Sequence, residues 1–211
     1  MPEDTNLDDK SVQLTTTTPP ATSSINILGV DIYQECIDGL LPCSMVNDNI
    51  VSYLLEQEKC IFPVISTFFF TALSGEQAKK KLSRYERNST AEMFFKPHLL
   101  LDEYIFIPVN RRHHWLLVTL TPWHIILMDS LTWDVASRRI EISLIFNYLI
   151  YLTEKYSLPN KHQNMEVKVL KVPQQEPNSN NCGIYVVKFL KHFIQELDVY
   201  ESAPEEYCTK Q

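Results

Sequence analysis

Residues 104–130 read YIFIPVNRRHHWLLVTLTPWHIILMDS and carry the clearest fold signal in the chain. Three runs within this stretch, 104–109, 115–120 and 124–129, are short and rich in β-branched and aromatic residues, with turn residues between them. This composition predicts consecutive antiparallel strands. If the second and third runs pair as a hairpin, the carboxylate of Asp129 can reach one imidazole of the His113–His114 pair.

Helical patterns flank these predicted strands. Asn47 and Asp48 precede a run with one apolar face, which predicts a capped helix. Further predicted elements are a buried helix over 63–73, an amphipathic helix over 142–156 ended by Pro159, a strand over 165–169 and a helix that begins at or just before Gly183. Helices on both sides of a central block of strands predict an α+β fold.

Length and composition favour one globular domain. The chain has 211 residues, of which 45% are hydrophobic and 21% charged, values typical of a globular protein with a buried core. Residues 1–24 are acidic and threonine-rich with little to bury, which predicts a disordered tail. We therefore expect the folded domain to span residues 25–211.

Charge, hydropathy and cysteine usage narrow the function classes. The net charge of −7 argues against nucleic acid as a partner, because phosphate binding favours a basic surface. No apolar run reaches the roughly 18 residues of a membrane span. The five cysteines show no regular spacing, so neither a disulfide framework nor a zinc site is predicted, and a reducing intracellular compartment is favoured.

Cys182 is the candidate nucleophile. It follows Asn180 and Asn181, which are good helix N-cap residues, and precedes the last predicted helix. The positive end of a helix dipole favours thiolate over thiol. Gly183 has no side chain, which would let a substrate carbonyl approach the sulfur closely. A buried structural cysteine is the competing interpretation, and we assign it to Cys36, Cys43, Cys60 and Cys208.

The loop upstream of the cysteine, residues 173–181, is rich in amide side chains. One of these amides could donate a hydrogen bond to the oxyanion that forms when sulfur attacks a carbonyl. A polar loop without a catalytic role would have the same composition.

The order of these motifs resembles the Ulp/SENP cysteine proteases, which act on SUMO and related ubiquitin-like modifiers. His114-Trp115, Asp129-Ser130-Leu131 and the stretch from Gln174 to Gly183 are similar to the catalytic blocks of that family. Residues 46–50 resemble its helix start, and residues 104–109 resemble one of its strands. Together the similar segments span nearly everything from Ile25 to Leu197.

The resemblance implies a papain-like α+β fold, with a central mixed or antiparallel sheet flanked by helices and the catalytic order His-Asp-Cys. It implies that His114 rather than His113 is the base and that a glutamine before the cysteine stabilises the oxyanion, a role for which we favour Gln175 while Gln174, or neither glutamine, stays open. Trp115 would cover a narrow tunnel for the modifier's Gly-Gly tail. Glycines would pass through this tunnel because they lack side chains that would block it, so exclusion would contribute to specificity. Met45 would form the second wall of that tunnel, and Asp48 would contact the body of the modifier.

Three departures from the family pattern concern the site. One residue is added between the glutamines and Cys182, so that counting back from the cysteine places Glu176 in the oxyanion position; we expect a bulged loop that still presents Gln175. Asn181 replaces the family's acid before the cysteine. Met45 stands where many members have tryptophan.

The reaction that the resemblance implies is isopeptide or peptide cleavage after a C-terminal Gly-Gly, in deconjugation or in precursor processing. The implied partner is SUMO or another ubiquitin-like modifier with its conjugates, and the implied enzyme is a monomer of the nucleus or cytoplasm. No cofactor or metal is expected, and neither are nucleic acid or membrane partners. The alternatives are a protease for another modifier, an acyltransferase on the same fold, and a modifier-binding module with impaired catalysis.

Overall fold

The computed structural model describes residues 24–27, 30–41, 44–58, 60–76, 78, 80–159 and 164–202. The strands are β1 Ser24–Ile27, β2 Val30–Tyr33, β3 Ile105–Arg111, β4 His114–Leu120, β5 His124–Met128 and β6 Glu166–Val169. The α-helices are α1 Gln34–Asp38, α2 Asp48–Gln57, α3 Phe68–Ser74, α4 Arg84–Ala91, α5 Arg139–Tyr156 and α6 Cys182–Ser202. Short 3₁₀ helices occupy Pro97–Leu101 and Val135–Arg138. The predicted tail lies outside the described residues except for Ser24, which opens β1.

A four-stranded mixed sheet with the order β3-β4-β5-β6 forms the centre of the fold. The strands β3, β4 and β5 pair antiparallel through short turns, as the sequence predicts. The strand β6 pairs parallel to β5, which requires a crossover connection, and α5 supplies it. The strands β1 and β2 form a separate two-stranded antiparallel hairpin.

Both faces of the central sheet are covered along β3, β4 and β5, so these strands read as almost continuous apolar runs, whereas β6 alternates between exposed and half-buried residues. Side chains alternate between the faces of a strand, and Leu116 and Val118 of β4 therefore pack with α3 and α5. Trp115 and Leu117 lie on the opposite face and pack with α2 and α6. Because α6 lies directly against β4, the first residue of that helix meets the first residue of the strand.

Local signals at the helix ends match the sequence prediction in three places. The Asn47 side chain accepts a hydrogen bond from the Ile50 backbone N–H at 3.1 Å and caps α2. The helix α5 ends at Ser157, whose φ of 52° is left-handed, two residues before Pro159. The last helix begins at Cys182, which confirms the prediction that it starts at or just before Gly183.

The helix predicted over 63–73 is wrong in its first half. Helix α3 begins only at Phe68, and the segment before it runs beside β3. Phe106 of β3 donates to the Pro63 carbonyl at 2.9 Å and accepts from the Ile65 N–H at 2.7 Å, so this segment extends the sheet. Pro63 followed by two β-branched residues favours this extended conformation. Among the described residues, the hairpin β1–β2 precedes the first helix.

Candidate active site

A two-residue turn fixes the position of His114. Strands β3 and β4 are joined by Arg112 and His113, with Arg111 paired to His114 across the hairpin. Arg112 and His113 have φ values of 50° and 62°, which is the backbone sign of a type I′ turn. Because the turn has only two residues, His114 is the first residue of β4, and its ring is buried at the end of the sheet.

Asp129 follows the neighbouring strand β5 and holds the imidazole. His114 Nε2 lies 2.8 Å from Asp129 Oδ1, and the Leu131 backbone N–H donates to the same oxygen at 2.8 Å. Burial raises the pKa of Asp129, but the hydrogen bonds from His114, Leu131 and Arg138 outweigh it and hold the pKa below its ordinary value. The group is therefore a carboxylate, and its Oδ1 accepts a hydrogen bond from the Nε2–H of His114.

Cys182 meets the opposite side of the imidazole from the first turn of α6. Since Nε2 faces Asp129, the other ring nitrogen, Nδ1, is the one that the sulfur can engage. Burial raises the pKa of the Cys182 thiol, but hydrogen bonds from His114 and from the backbone N–H groups of Trp115 and Gly183 lower it below its ordinary value. The thiol is buried, with 3% of the residue exposed.

Hydrogen bonding shifts the pKa of His114 in the opposite direction to that of Cys182. Burial lowers the pKa of His114, whereas its hydrogen bonds to Asp129 and Cys182 raise it above its ordinary value. A raised imidazole pKa and a lowered thiol pKa both favour a thiolate–imidazolium pair. The structure therefore brings together the three residues that the sequence singles out, in the relative positions expected of a nucleophile, a base and an orienting acid.

The additional residue between the glutamines and the cysteine is absorbed in a tight turn. The Ser179 N–H donates to the Glu176 carbonyl at 3.1 Å, with Pro177 and Asn178 between them. Asn178 has a φ of 63°, and proline followed by a residue with positive φ is the pattern of a type II turn. Glu176 is exposed on this loop, in agreement with the bulge predicted from the sequence.

The two glutamines are tied to the segment that carries Asp129. The Gln175 backbone N–H donates to the Ser130 carbonyl at 2.8 Å, and the Ser130 hydroxyl donates to Gln175 Oε1 at 2.8 Å. Gln175 Nε2 donates to the Ser179 carbonyl at 2.7 Å. Gln174 Nε2 donates to the Asp129 carbonyl at 2.8 Å and belongs to the scaffold. The oxyanion role of Gln175 stays a prediction.

The residues predicted to bind substrate have different environments. Trp115 is buried, with 2% exposed, and its indole N–H donates to the Val46 carbonyl at 3.2 Å. Met45, which directly precedes Val46 in the chain, lies on the surface. Asp48 is in the first turn of α2, where burial raises its pKa despite a hydrogen bond from Asn110. The tunnel and modifier contacts proposed for these residues stay predictions.

Gly183 has a packing reason for lacking a side chain. A Cβ atom added there would lie 3.0 Å from Val51 Cγ2, 3.3 Å from Val46 Cβ and 3.4 Å from Trp115 Cδ1. The missing side chain would therefore point into the interface of α6 with α2 and β4. This direction differs from the sequence interpretation, in which the glycine opens a path for the substrate carbonyl.

Two residues near the triad carry no role in the sequence interpretation. Ser130 orients the Gln175 amide, and Arg138 donates from Nε to Asp129 Oδ2 at 2.5 Å. Ser130 directly follows Asp129, which is a signal of proximity, whereas nothing in the pattern around Arg138 marks it.

Among the described residues, no group of histidine, cysteine and carboxylate side chains has the arrangement of a metal site. Within the same residues, no helix is both long and apolar enough to cross a membrane.

The mixed α+β fold and the grouping of Cys182, His114 and Asp129 fit the class of cysteine proteases, and comparison with known proteins gives the family. Residues 46–211 match the model of the Ulp1 protease family, C-terminal catalytic domain. The chain belongs to this family.

Curated relatives of the chain include two proteins of Arabidopsis thaliana. The chain is 25% identical over 209 residues to a probable ubiquitin-like-specific protease 2A and 24% identical over 208 residues to a probable ubiquitin-like-specific protease 2B. Each alignment covers 79% of this chain but only 25% and 21% of the two relatives. The chain thus spans about a quarter of the length of the curated relatives that it matches.

Solved structures share the fold. The crystal structure of a de-sumoylating protease matches with a TM-score of 0.66 at 21% identity, covering 89% of this chain and 81% of the other. The C-terminal Ulp1 protease domain, solved in complex with Smt3, the yeast ortholog of SUMO, matches with a TM-score of 0.65 at 21% identity. That match covers 84% of this chain and 79% of the other.

Proposed function

We propose that the chain is a thiol isopeptidase that cleaves after the C-terminal Gly-Gly of SUMO or a related ubiquitin-like modifier. The observation that carries this proposal is the contact chain from Cys182 through His114 to the Asp129 carboxylate, 2.8 Å from Nε2. It supports nucleophilic attack by sulfur on an acyl carbon. The modifier enters the proposal from the names of the relatives and from the Smt3 complex of the similar Ulp1 domain.

The first half of the proposed reaction is acylation of Cys182. The thiolate attacks the carbonyl carbon of the last glycine, and the carbonyl oxygen becomes an oxyanion. We assign the amide of Gln175 and nearby backbone N–H groups to that oxyanion, because preorganised donors act where charge develops. The C–N bond then breaks, and the leaving lysine amine takes the proton from the His114 imidazolium.

The second half is hydrolysis of the thioester. His114 takes a proton from water, the hydroxide attacks the same carbonyl carbon, and the C–S bond breaks to return the thiolate. Asp129 supports the imidazolium in both halves without giving up its own charge. Precursor processing and deconjugation differ only in the leaving amine, so the same residues serve both.

Specificity in this proposal depends on the absence of side chains in the modifier's tail. The Trp115 indole donates to the carbonyl of Val46, and Met45 directly precedes Val46 in the chain. We assign Trp115 and Met45 the two walls around the Gly-Gly segment. Asp48 is assigned to the body of the modifier. A larger residue in the tail would clash with these walls, so exclusion contributes to selection.

The test is cleavage of purified SUMO and ubiquitin precursors, or of their C-terminal fluorogenic derivatives, beside the Cys182→Ser variant. We expect turnover of the SUMO substrates that the substitution abolishes. Binding of SUMO without cleavage would favour the modifier-binding module. Absence of both would refute the SUMO assignment and favour another modifier or acyl transfer.

Cellular context belongs to the proposal as well. We propose a monomer that acts in the nucleus or the cytoplasm on modified proteins, without a cofactor and without nucleic acid or membrane partners. Size-exclusion chromatography with light scattering and localisation of a tagged chain in cells test these two points separately.

A further inference from the structure

Arg138 lies behind the catalytic residues, at the end of the 3₁₀ helix Val135–Arg138. Its Nε donates to Asp129 Oδ2 at 2.5 Å, and its side chain is 17% exposed. The 3₁₀ helix is itself anchored, because the Asp134 carboxylate accepts from the Ala136 N–H at 3.0 Å and the Asp134 carbonyl from the Ser137 hydroxyl at 2.7 Å. The guanidinium is therefore presented to the carboxylate from a defined backbone position.

The two oxygens of Asp129 have separate partners. Oδ1 accepts from His114 Nε2 and from the Leu131 N–H, and Oδ2 accepts from Arg138. The terminal torsion of an aspartate is soft, so the backbone alone does not fix the plane of its carboxylate. A donor on Oδ2 limits rotation about that torsion and keeps Oδ1 aimed at the histidine.

The charged groups around His114 and Asp129 show what Arg138 does electrostatically, apart from orienting the carboxylate. The charged or titratable groups that act on Asp129 are His114 and Arg138, and those that act on His114 are Asp129, Cys182 and Arg138. The positive charge of Arg138 lowers the pKa of Asp129 and also lowers that of His114. The charge of Arg138 therefore favours the Asp129 carboxylate but opposes the His114 imidazolium, and the orienting role rests on the geometry of the hydrogen bond to Oδ2.

We propose that Arg138 is a positioning residue for the thiol protease reaction: it holds the Asp129 carboxylate in the orientation that keeps His114 against Cys182. This inference rests on the proposed function for its kinetic effect. The geometric part concerns the free protein and applies whatever the substrate is.

The kinetic experiment compares Arg138→Ala with the neighbouring surface variant Arg139→Ala, which removes an equal charge one residue away. A hydrogen bond to a charged group is worth about 10- to 100-fold in an equilibrium or a rate, so we expect kcat to fall by about that factor in Arg138→Ala. KM stays unchanged, because Arg138 acts through a buried carboxylate that does not contact substrate. Added guanidinium, below denaturing concentrations, restores part of kcat to Arg138→Ala only.

A second measurement does not depend on any modifier. The rate at which iodoacetamide alkylates Cys182, followed by mass spectrometry of the peptide that contains it, reports the thiolate fraction. We expect this rate to fall about tenfold in Arg138→Ala, which corresponds to one pKa unit, and to stay unchanged in Arg139→Ala. If Arg138→Ala does not fold, Arg138→Gln takes its place in both assays.

The outcomes are distinct. An unchanged alkylation rate and an unchanged kcat in folded Arg138→Ala or Arg138→Gln would overturn the positioning role. Equal losses in the Arg138 and Arg139 variants would assign the effect to net charge and also overturn it. If the unmodified protein cleaves no modifier while the alkylation difference is present, the proposed function fails and the role of Arg138 stands.

Discussion

The contact between Gly183 and Val51 gives a prediction that the distances fix closely. A Cβ added to Gly183 would lie 3.0 Å from Val51 Cγ2, and two further contacts would lie at 3.3 and 3.4 Å. All three contacts are tighter than ordinary van der Waals packing, so the neighbouring side chains must give way by a few tenths of an ångström. Such overpacking costs about 1–3 kcal/mol, whereas replacing glycine by alanine in a helix returns up to about 1 kcal/mol. We expect Gly183→Ala to destabilise the protein by about 0–3 kcal/mol.

Truncating Val51, the other partner in this contact, should remove or reverse the destabilising effect of Gly183→Ala. Val51 is fully buried, and Val51→Ala alone should cost about 1–3 kcal/mol through lost burial and the cavity left behind. That cavity lies where the new Cβ would go, so Gly183→Ala becomes neutral or stabilising in the Val51→Ala background. The double-mutant cycle should therefore show a favourable coupling of about 1–3 kcal/mol.

The assay is urea unfolding of the four proteins in the cycle, with kcat/KM measured on the same samples. If packing is the reason for the glycine, the double variant should have the kcat/KM of Val51→Ala. Restored stability with kcat/KM still depressed would instead support the sequence interpretation, in which a side chain at residue 183 obstructs the substrate. An equal cost of Gly183→Ala in both backgrounds would refute the packing argument.

Three further predictions concern the catalytic groups. Asp129→Asn should move the alkaline limb of the pH profile of kcat/KM to lower pH, because Asp129 raises the pKa of His114 and the imidazolium would deprotonate at a lower pH without it. An alkaline limb at the same pH would contradict the orienting role of Asp129. Gln175→Ala should lower kcat by about 10²–10³, as loss of an oxyanion donor does, whereas Glu176→Ala on the exposed turn should have little effect; the reverse order would place Glu176 in the site. Ser130→Ala should lower kcat by about tenfold, which is what one hydrogen bond contributes. In the Ser130→Ala background, Gln175→Ala should lower kcat by a smaller factor than in the original protein. Full additivity of the two effects would show that Ser130 does not act through Gln175.

The central sheet and the triad were predictable because their signals are local. Each strand from β3 to β5 is a short β-branched and aromatic run, and His114 and Asp129 stand at the ends of two strands that short turns join. The helix that begins at Cys182 follows asparagine caps and has a clear apolar face. The parallel pairing of β6 depends on the crossover through α5, and only its extended conformation was predictable.

The remaining features depend on tertiary contacts. The segment at Pro63 and Val64 is apolar enough for a helix, and its bonds to Phe106 of β3 override that pattern. Arg138 reaches Asp129 because the 3₁₀ helix turns it back toward the sheet, which no spacing in the sequence indicates. The environment of Gly183 likewise depends on how α6 packs against Val46 and Val51 of another segment.

The most direct test of the proposed function is reaction with SUMO or ubiquitin whose C-terminal Gly-Gly ends in an electrophile that traps a thiolate. We predict a covalent adduct of the SUMO probe, located at Cys182 by mass spectrometry. The adduct should be absent from Cys182→Ala and from probes in which a tail glycine is replaced by alanine. Labelling of another cysteine, equal labelling with the alanine tail, or no adduct from a protein whose Cys182 still reacts with iodoacetamide would contradict the proposal.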